Sequence, residues 1–115
     1  MTITMPRGDY RPIKFKIKNK DKTDFNLDID EIYVTFKEGY YTKNILFQKR
    51  LSSKDIIKDK DGYYHFGILP EDTEKLDYGE YYFDIEICNQ KPKIKQTQLG
   101  KLVITQEITH KENEV

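Results

Sequence analysis

The sequence has one cysteine, no tryptophan, two histidines and no surplus of either charge. Each shortage closes off a class of reading. The lone Cys88 excludes an internal disulfide. The fold must then stand on its core, and the chain suits a reducing cytoplasm. Twenty Lys and Arg balance twenty Asp and Glu, so bulk charge gives no case for nucleic acid or an anionic membrane. His65 and His110 have no His or Cys partner at ligand spacing, so neither a zinc site nor any other cofactor is expected. No apolar window approaches the length of a membrane span. Residues 1–9 carry no basic stretch followed by an apolar run, so no secretory signal is expected.

What is present is pattern. At 115 residues the chain makes one domain with a single two-layer core. Nine Tyr and six Phe, with many β-branched residues, set it apart from disordered chains. Apolar residues alternate along several runs, the period of half-buried strands. Ile13, Phe15 and Ile17 face inward while Lys14, Lys16 and Lys18 face out. The same phase places Ile32, Val34 and Phe36 inside, with Tyr33 and Thr35 outside. Ile45, Phe47 and Leu51 form a third inward set, and Tyr64, Phe66 and Ile68 a fourth. Tyr81, Phe83, Ile85 and Ile87 form the fifth, leaving Tyr82, Asp84, Glu86 and Cys88 outside. Residues 99–105 make a sixth strand, read with Leu102 and Ile104 inward rather than Leu99 and Val103. Residues 1–5 offer a short edge strand. Residues 109–115 lose the period and read as a polar, frayed tail after a domain spanning 1–108.

Residues 61–87 fix the fold class. They read as a strand, a helical corner over 70–76, and a second strand entered through Tyr78-Gly79-Glu80-Tyr81. Pro70 suits a first helical turn, where its missing N–H costs nothing. Glu71 and Asp72 complement the positive helix end. Leu76 closes the corner, and Gly79 permits the tight entry to the next strand. Tyr81 matches a tyrosine corner, with its phenol bonded back to the corner backbone. The expectation is an all-β, immunoglobulin-like antiparallel sandwich of about seven strands.

Motifs that carry chemistry are few. Asp59-Lys60-Asp61-Gly62 begins like a calcium loop, but position twelve is Pro70 instead of Glu, so a hairpin turn is expected. Arg7-Gly8-Asp9 reads as a bend. Cys88, outward at a strand end, lacks the paired base that a nucleophile needs. No catalytic residues are assigned.

Charge is segregated along the chain. Arg7, Arg11, Lys14, Lys16, Lys18, Lys20 and Lys22 form a basic run. Glu71, Asp72, Glu74, Asp77, Glu80, Asp84 and Glu86 form an acidic one. Each reads as a solvated face, with lysines guarding a strand edge. The sharper reading is a basic face of one subunit meeting an acidic face of the next. Nucleic-acid binding would want interleaved aromatics, and Phe15 points to the core. Tyr40, Tyr41, Tyr63 and Tyr82 are expected at the surface, where Tyr suits protein interfaces and sugar rings alike. Candidate interface residues are therefore Tyr40, Tyr41, Tyr63, Tyr82, Lys14, Lys16 and Lys18.

Several blocks come in a familiar order: Arg7-Gly8-Asp9, IYVTFK from Ile32, Leu46-Phe47-Gln48-Lys49, Pro70-Glu71-Asp72-Thr73, Tyr78-Gly79-Glu80-Tyr81 and the run 100–105. The chain resembles small immunoglobulin-like virion proteins of phages and prophages of Gram-positive bacteria, related to the N-terminal domain of the phage baseplate upper protein. The resemblance implies a non-enzymatic structural or adaptor part of a baseplate, tail or head. Its partners would be other virion proteins or copies of itself, without nucleic acid or membrane. It would reside in the cytoplasm during assembly and then in the virion. The rival expectation, from the tyrosines, is a small carbohydrate- or cell-wall-binding module.

Overall fold

The computed structural model describes residues 1–19, 21–23, 25, 28–90 and 93–107. Seven strands and one helical turn follow in order: β1 (Thr2–Pro6), β2 (Arg11–Phe15), β3 (Glu31–Lys37), β4 (Ile45–Ser52), β5 (Tyr64–Ile68), α1 (Pro70–Thr73), β6 (Gly79–Gln90) and β7 (Lys93–Thr105). A five-stranded sheet ordered β1-β7-β6-β3-β4 packs on a two-stranded sheet of β2 and β5. That is the immunoglobulin arrangement, with G, F, C and C′ in one sheet and B and E in the other.

The alternation dictates the core. Ile32, Val34 and Phe36 on β3, Phe83, Ile85 and Ile87 on β6, and Leu102 and Ile104 on β7 are all buried. Ile13, Phe15, Tyr64, Phe66 and Ile68 close the other layer. Phe rings meet at the centre of this core. Phe36 pairs in register with Phe83, their centroids 5.1 Å apart, and reaches Phe66 of the opposite sheet at 6.5 Å. Each such burial contributes about 1.5–3 kcal/mol. Truncating Phe36 to Ala would cost about 3–5 kcal/mol.

The corner carries the chain between sheets. Pro70 opens α1, and the Asp72 carboxylate accepts the Leu69 N–H at 2.7 Å while pairing with Lys49 at 2.5 Å. The helix is one turn long, shorter than the 70–76 expected. Past Thr73 the Leu76 N–H bonds to the Thr73 carbonyl at 2.9 Å, and Leu76 drops onto the core. The Tyr81 hydroxyl donates to the Asp77 carbonyl at 2.8 Å, which is the tyrosine corner. Gly79 enters β6 at φ +137, a conformation that disfavours any side chain.

Arg7 ties this corner to both ends of the fold. Its guanidinium donates to Glu107, the Leu76 carbonyl and the Tyr78 hydroxyl, and stacks 4.3 Å from the Tyr78 ring centroid. Next to it, the Gly8 N–H bonds the buried Thr73 hydroxyl at 2.9 Å. The Arg7-Gly8-Asp9 bend is thus part of the scaffold.

Two expectations need correction. The sheet is mixed rather than antiparallel throughout, because β1 runs parallel to β7, with Ile3 beside Leu102. Ile45 is 51 % exposed instead of inward. The β3–β4 register slips between Phe36 and Lys37, so Leu46 takes the extra position and joins the half-buried residues on the core. Thr35 is on the outer face but buried, because the Gln48 amide lies over it and donates to its hydroxyl at 2.9 Å. The tail 109–115, His110, Lys20 and Pro92 lie outside the described residues.

Candidate docking surfaces

The seven candidate interface residues divide between the two outer faces of the sandwich. Tyr40 and Tyr82 come together on the five-stranded sheet. Tyr82 points outward from β6 because Tyr81 and Phe83 point in. Tyr40, in the β3–β4 turn, folds back onto it, with ring centroids 4.6 Å apart at 51°. The Tyr40 hydroxyl donates to the Gly100 carbonyl at 3.1 Å, which pins the ring across three strands. Tyr41 follows at 99 % exposure.

Sequence reasoning missed two further members of this face. Register sets Lys101, Tyr82, Lys37 and Ile45 in one row across four strands. The next row begins with Leu99 opposite Asp84. Leu99 is 58 % exposed and Ile45 51 %. The signal for Leu99 was in the sequence: once Leu102 is inward, an odd-numbered neighbour on the same strand must face out. Nothing in the sequence marked the bulge that turns Ile45 outward. The face therefore combines a fixed pair of Tyr rings with exposed Tyr41, Leu99 and Ile45, bordered by Lys37 and Lys101.

Lys14, Lys16 and Tyr63 meet on the other face. The two ammonium groups lie 4.6 and 4.7 Å from the Tyr63 ring centroid. This occupies the ring and weakens it as a stacking surface for sugar. Lys18 is exposed beyond the end of β2. Across from Lys14 stands His65, whose Nε2 lies 2.7 Å from Asp59 Oδ2. Asp59 also accepts the Asp61 and Tyr63 N–H groups at 2.9 Å each, which builds a turn there, but not the hairpin expected, because β4 before it and β5 after it lie in different sheets. These bonds, the Tyr63 amide first and then His65, pull the Asp59 carboxyl down to about 2.

The acidic run does not form one face. Asp72 pairs with Lys49, Glu80 with Lys101 and Glu86 with Lys95. Glu71, Glu74 and Asp77 are exposed at the corner, while Asp84 and Glu86 belong to the outer face of the large sheet. Asp84 is half-buried there, and burial, then the neighbouring Glu86, raises its carboxyl above the ordinary carboxylate range.

Cys88 and His65 are on different sheets. The Cys88 thiol donates to Glu86 at 3.4 Å, and burial pushes it above its ordinary value, the reverse of an activated nucleophile. Among the described residues no cluster of three His, Cys, Asp or Glu side chains is placed to hold a metal, and no helix is long and apolar enough to cross a membrane. A cleft of about 330 Å³ is lined by Asp30, Glu31, Ser52, Ser53, Cys88 and Gln90. Its carboxylates are already engaged: Asp30 accepts the Gln90 N–H, and Glu31 accepts from Tyr33 and Arg50.

Compared with known proteins, the chain matches no family model and no curated protein.

Proposed function

We propose that this chain is a non-enzymatic structural or adaptor part of a phage or prophage particle, acting through protein–protein contacts. In this reading it is made in the cytoplasm and carried into the virion. The observation that supports the contact role is the Tyr40–Tyr82 pair, held by the Gly100 carbonyl and flanked by exposed Tyr41, Leu99 and Ile45. A ring already fixed in place loses little entropy on binding, so its buried area converts efficiently into affinity. An aromatic centre with a polar border, here Lys37 and Lys101, matches the anatomy of protein interfaces. The virion setting rests on the sequence resemblance alone.

The test is affinity capture of the full chain against the products of its own gene cluster, with wild type and Tyr40→Ala/Tyr41→Ala side by side. Capture of a virion protein, lost in the double variant, supports the reading. No capture at all, together with a monomeric mass, overturns it.

A carbohydrate-binding module is the second reading. It is favoured by the unobstructed ring of Tyr41 beside Tyr40 and loses support from Tyr63, whose ring two lysines cover. Retention on purified cell wall, abolished by the same double substitution, would decide for it.

A further inference from the structure

We infer that the free edge of β7 is a strand-pairing site, and that it takes the same strand of a second copy in antiparallel register. The site is a backbone edge and shares only Leu99 with the Tyr40–Tyr82 face. Strand β7 pairs with β6 from Lys93 opposite Gln90 to Ile104 opposite Gly79, without a slip in register. On its other side β1 covers only positions 101 to 105. The cover ends where the Lys101 N–H donates to the Met1 carbonyl at 3.0 Å. Positions 93 to 99 therefore have no neighbour on that side among the described residues.

The polarity of this edge follows from the ladder. Lys101 N–H and Thr105 C=O point toward β1 and its following turn. Strand groups alternate, so the N–H and C=O groups of 95, 97 and 99 point the same way, into the open side. A row of unpaired backbone groups is a template for another strand.

The other edges of the large sheet are blunted. Strand β1 is five residues long and ends in Pro6. Strand β4 carries the slip at Leu46, and a bulge interrupts regular pairing. The β7 edge has no proline, glycine or slip from 93 to 99.

Length selects a second copy. A two-fold axis at position 96 sets 95 opposite 97 and 93 opposite 99, so the paired segment fills the open stretch and stops before β1. An axis at 97 would set 93 opposite 101, where β1 already lies. In the favoured register Lys95 of one copy meets Thr97 of the other, so these like charges are not directly opposed. The contact is isologous and closed, and it joins two five-stranded sheets into one.

The experiment uses the full chain. Light scattering on a sizing column should give a dimer that dissociates on dilution. Thr97→Pro removes one outward N–H and blocks the edge while leaving the β6 ladder intact, as proline does on edge strands; this variant should be monomeric with unchanged circular dichroism. Thr97→Ala, which keeps the N–H, should remain dimeric. Gln96→Cys in a Cys88→Ser background sets position 96 opposite itself at about 4.5 Å between Cα atoms, within disulfide reach, and should cross-link under mild oxidation. A wild type monomeric at every concentration, or a dimer that survives Thr97→Pro, overturns the inference. A dimer lost in Tyr40→Ala but kept in Thr97→Pro would overturn it while sparing the aromatic contact face.

Discussion

A Cβ added to Gly100 would lie 2.3 Å from Cζ of Phe83, the closest approach that any glycine of this fold makes to a side chain. The two residues pair across β6 and β7, and the Phe83 ring lies flat over the space that a side chain at 100 would fill. Gly100→Ala is therefore expected to destabilise by about 1–3 kcal/mol, the usual penalty of overpacking a closed core. Urea unfolding measures it. Phe83→Leu in the same chain should recover part of the loss, because the obstacle is the ring. Additive losses in the double variant would contradict this account.

Tyr81 offers a cleaner probe of the corner. Its ring is buried and its hydroxyl holds the Asp77 carbonyl at 2.8 Å. Tyr81→Phe keeps the ring and removes only the hydrogen bond. The expected cost is about 0.5–1.5 kcal/mol, seen as a lower urea midpoint at unchanged slope. Burial also raises the phenol above its ordinary value. Absorbance titration of wild type against the variant should thus lose one late-titrating tyrosine.

The corner and the core were legible in the sequence because each is a local pattern. Period-two alternation gave Ile32, Val34 and Phe36, and the Pro70 and Tyr78-Gly79-Glu80-Tyr81 signals gave the sheet crossing. What stayed hidden depends on register between distant strands. Ile45 faces out because one residue slips at Leu46, and alternation within a single run carries no trace of that slip. Arg7 read as part of a bend, yet its guanidinium gathers Leu76, Tyr78 and Glu107 from the far end of the chain. The candidate list held Tyr40 and Tyr82 but not the fact that they touch, while Tyr63 sits with Lys14 and Lys16 on the opposite face. The acidic run looked continuous in sequence, and folding divided it: Asp72, Glu80 and Glu86 pair with lysines, while Glu71, Glu74 and Asp77 stay exposed at the corner.

Asp59 makes stability depend on acid pH. Its folded carboxyl titrates at about 2 against an ordinary value of 3.8, held down by the Tyr63 amide and His65. A depressed carboxyl stabilises the fold above its unfolded value and loses that contribution as pH falls through the folded one. The loss should fall between about pH 4 and 2. Asp59→Asn keeps the acceptor oxygen and removes the titration. Urea midpoints measured from pH 6 down to 2 should therefore fall less steeply in the variant. Parallel curves for both chains would show that Asp59 does not set the slope.

Tyr40 and Tyr41 separate stability from contact, which is what an interface assignment needs. Tyr41 is 99 % exposed, so Tyr41→Ala should leave stability within about 0.5 kcal/mol of wild type. Tyr40 is anchored by Tyr82 and the Gly100 carbonyl. Tyr40→Ala should cost about 0.5–1.5 kcal/mol through the lost ring pair, with a further contribution from the hydrogen bond. Tyr40→Phe should lose only the latter. Thermal unfolding ranks the three. If Tyr41→Ala keeps its melting temperature but loses capture of its partner, the defect lies in the contact itself. If Tyr41→Ala binds as wild type while Tyr40→Phe and Tyr40→Ala weaken binding in step with their stability, the turn is scaffold and the docking surface lies elsewhere.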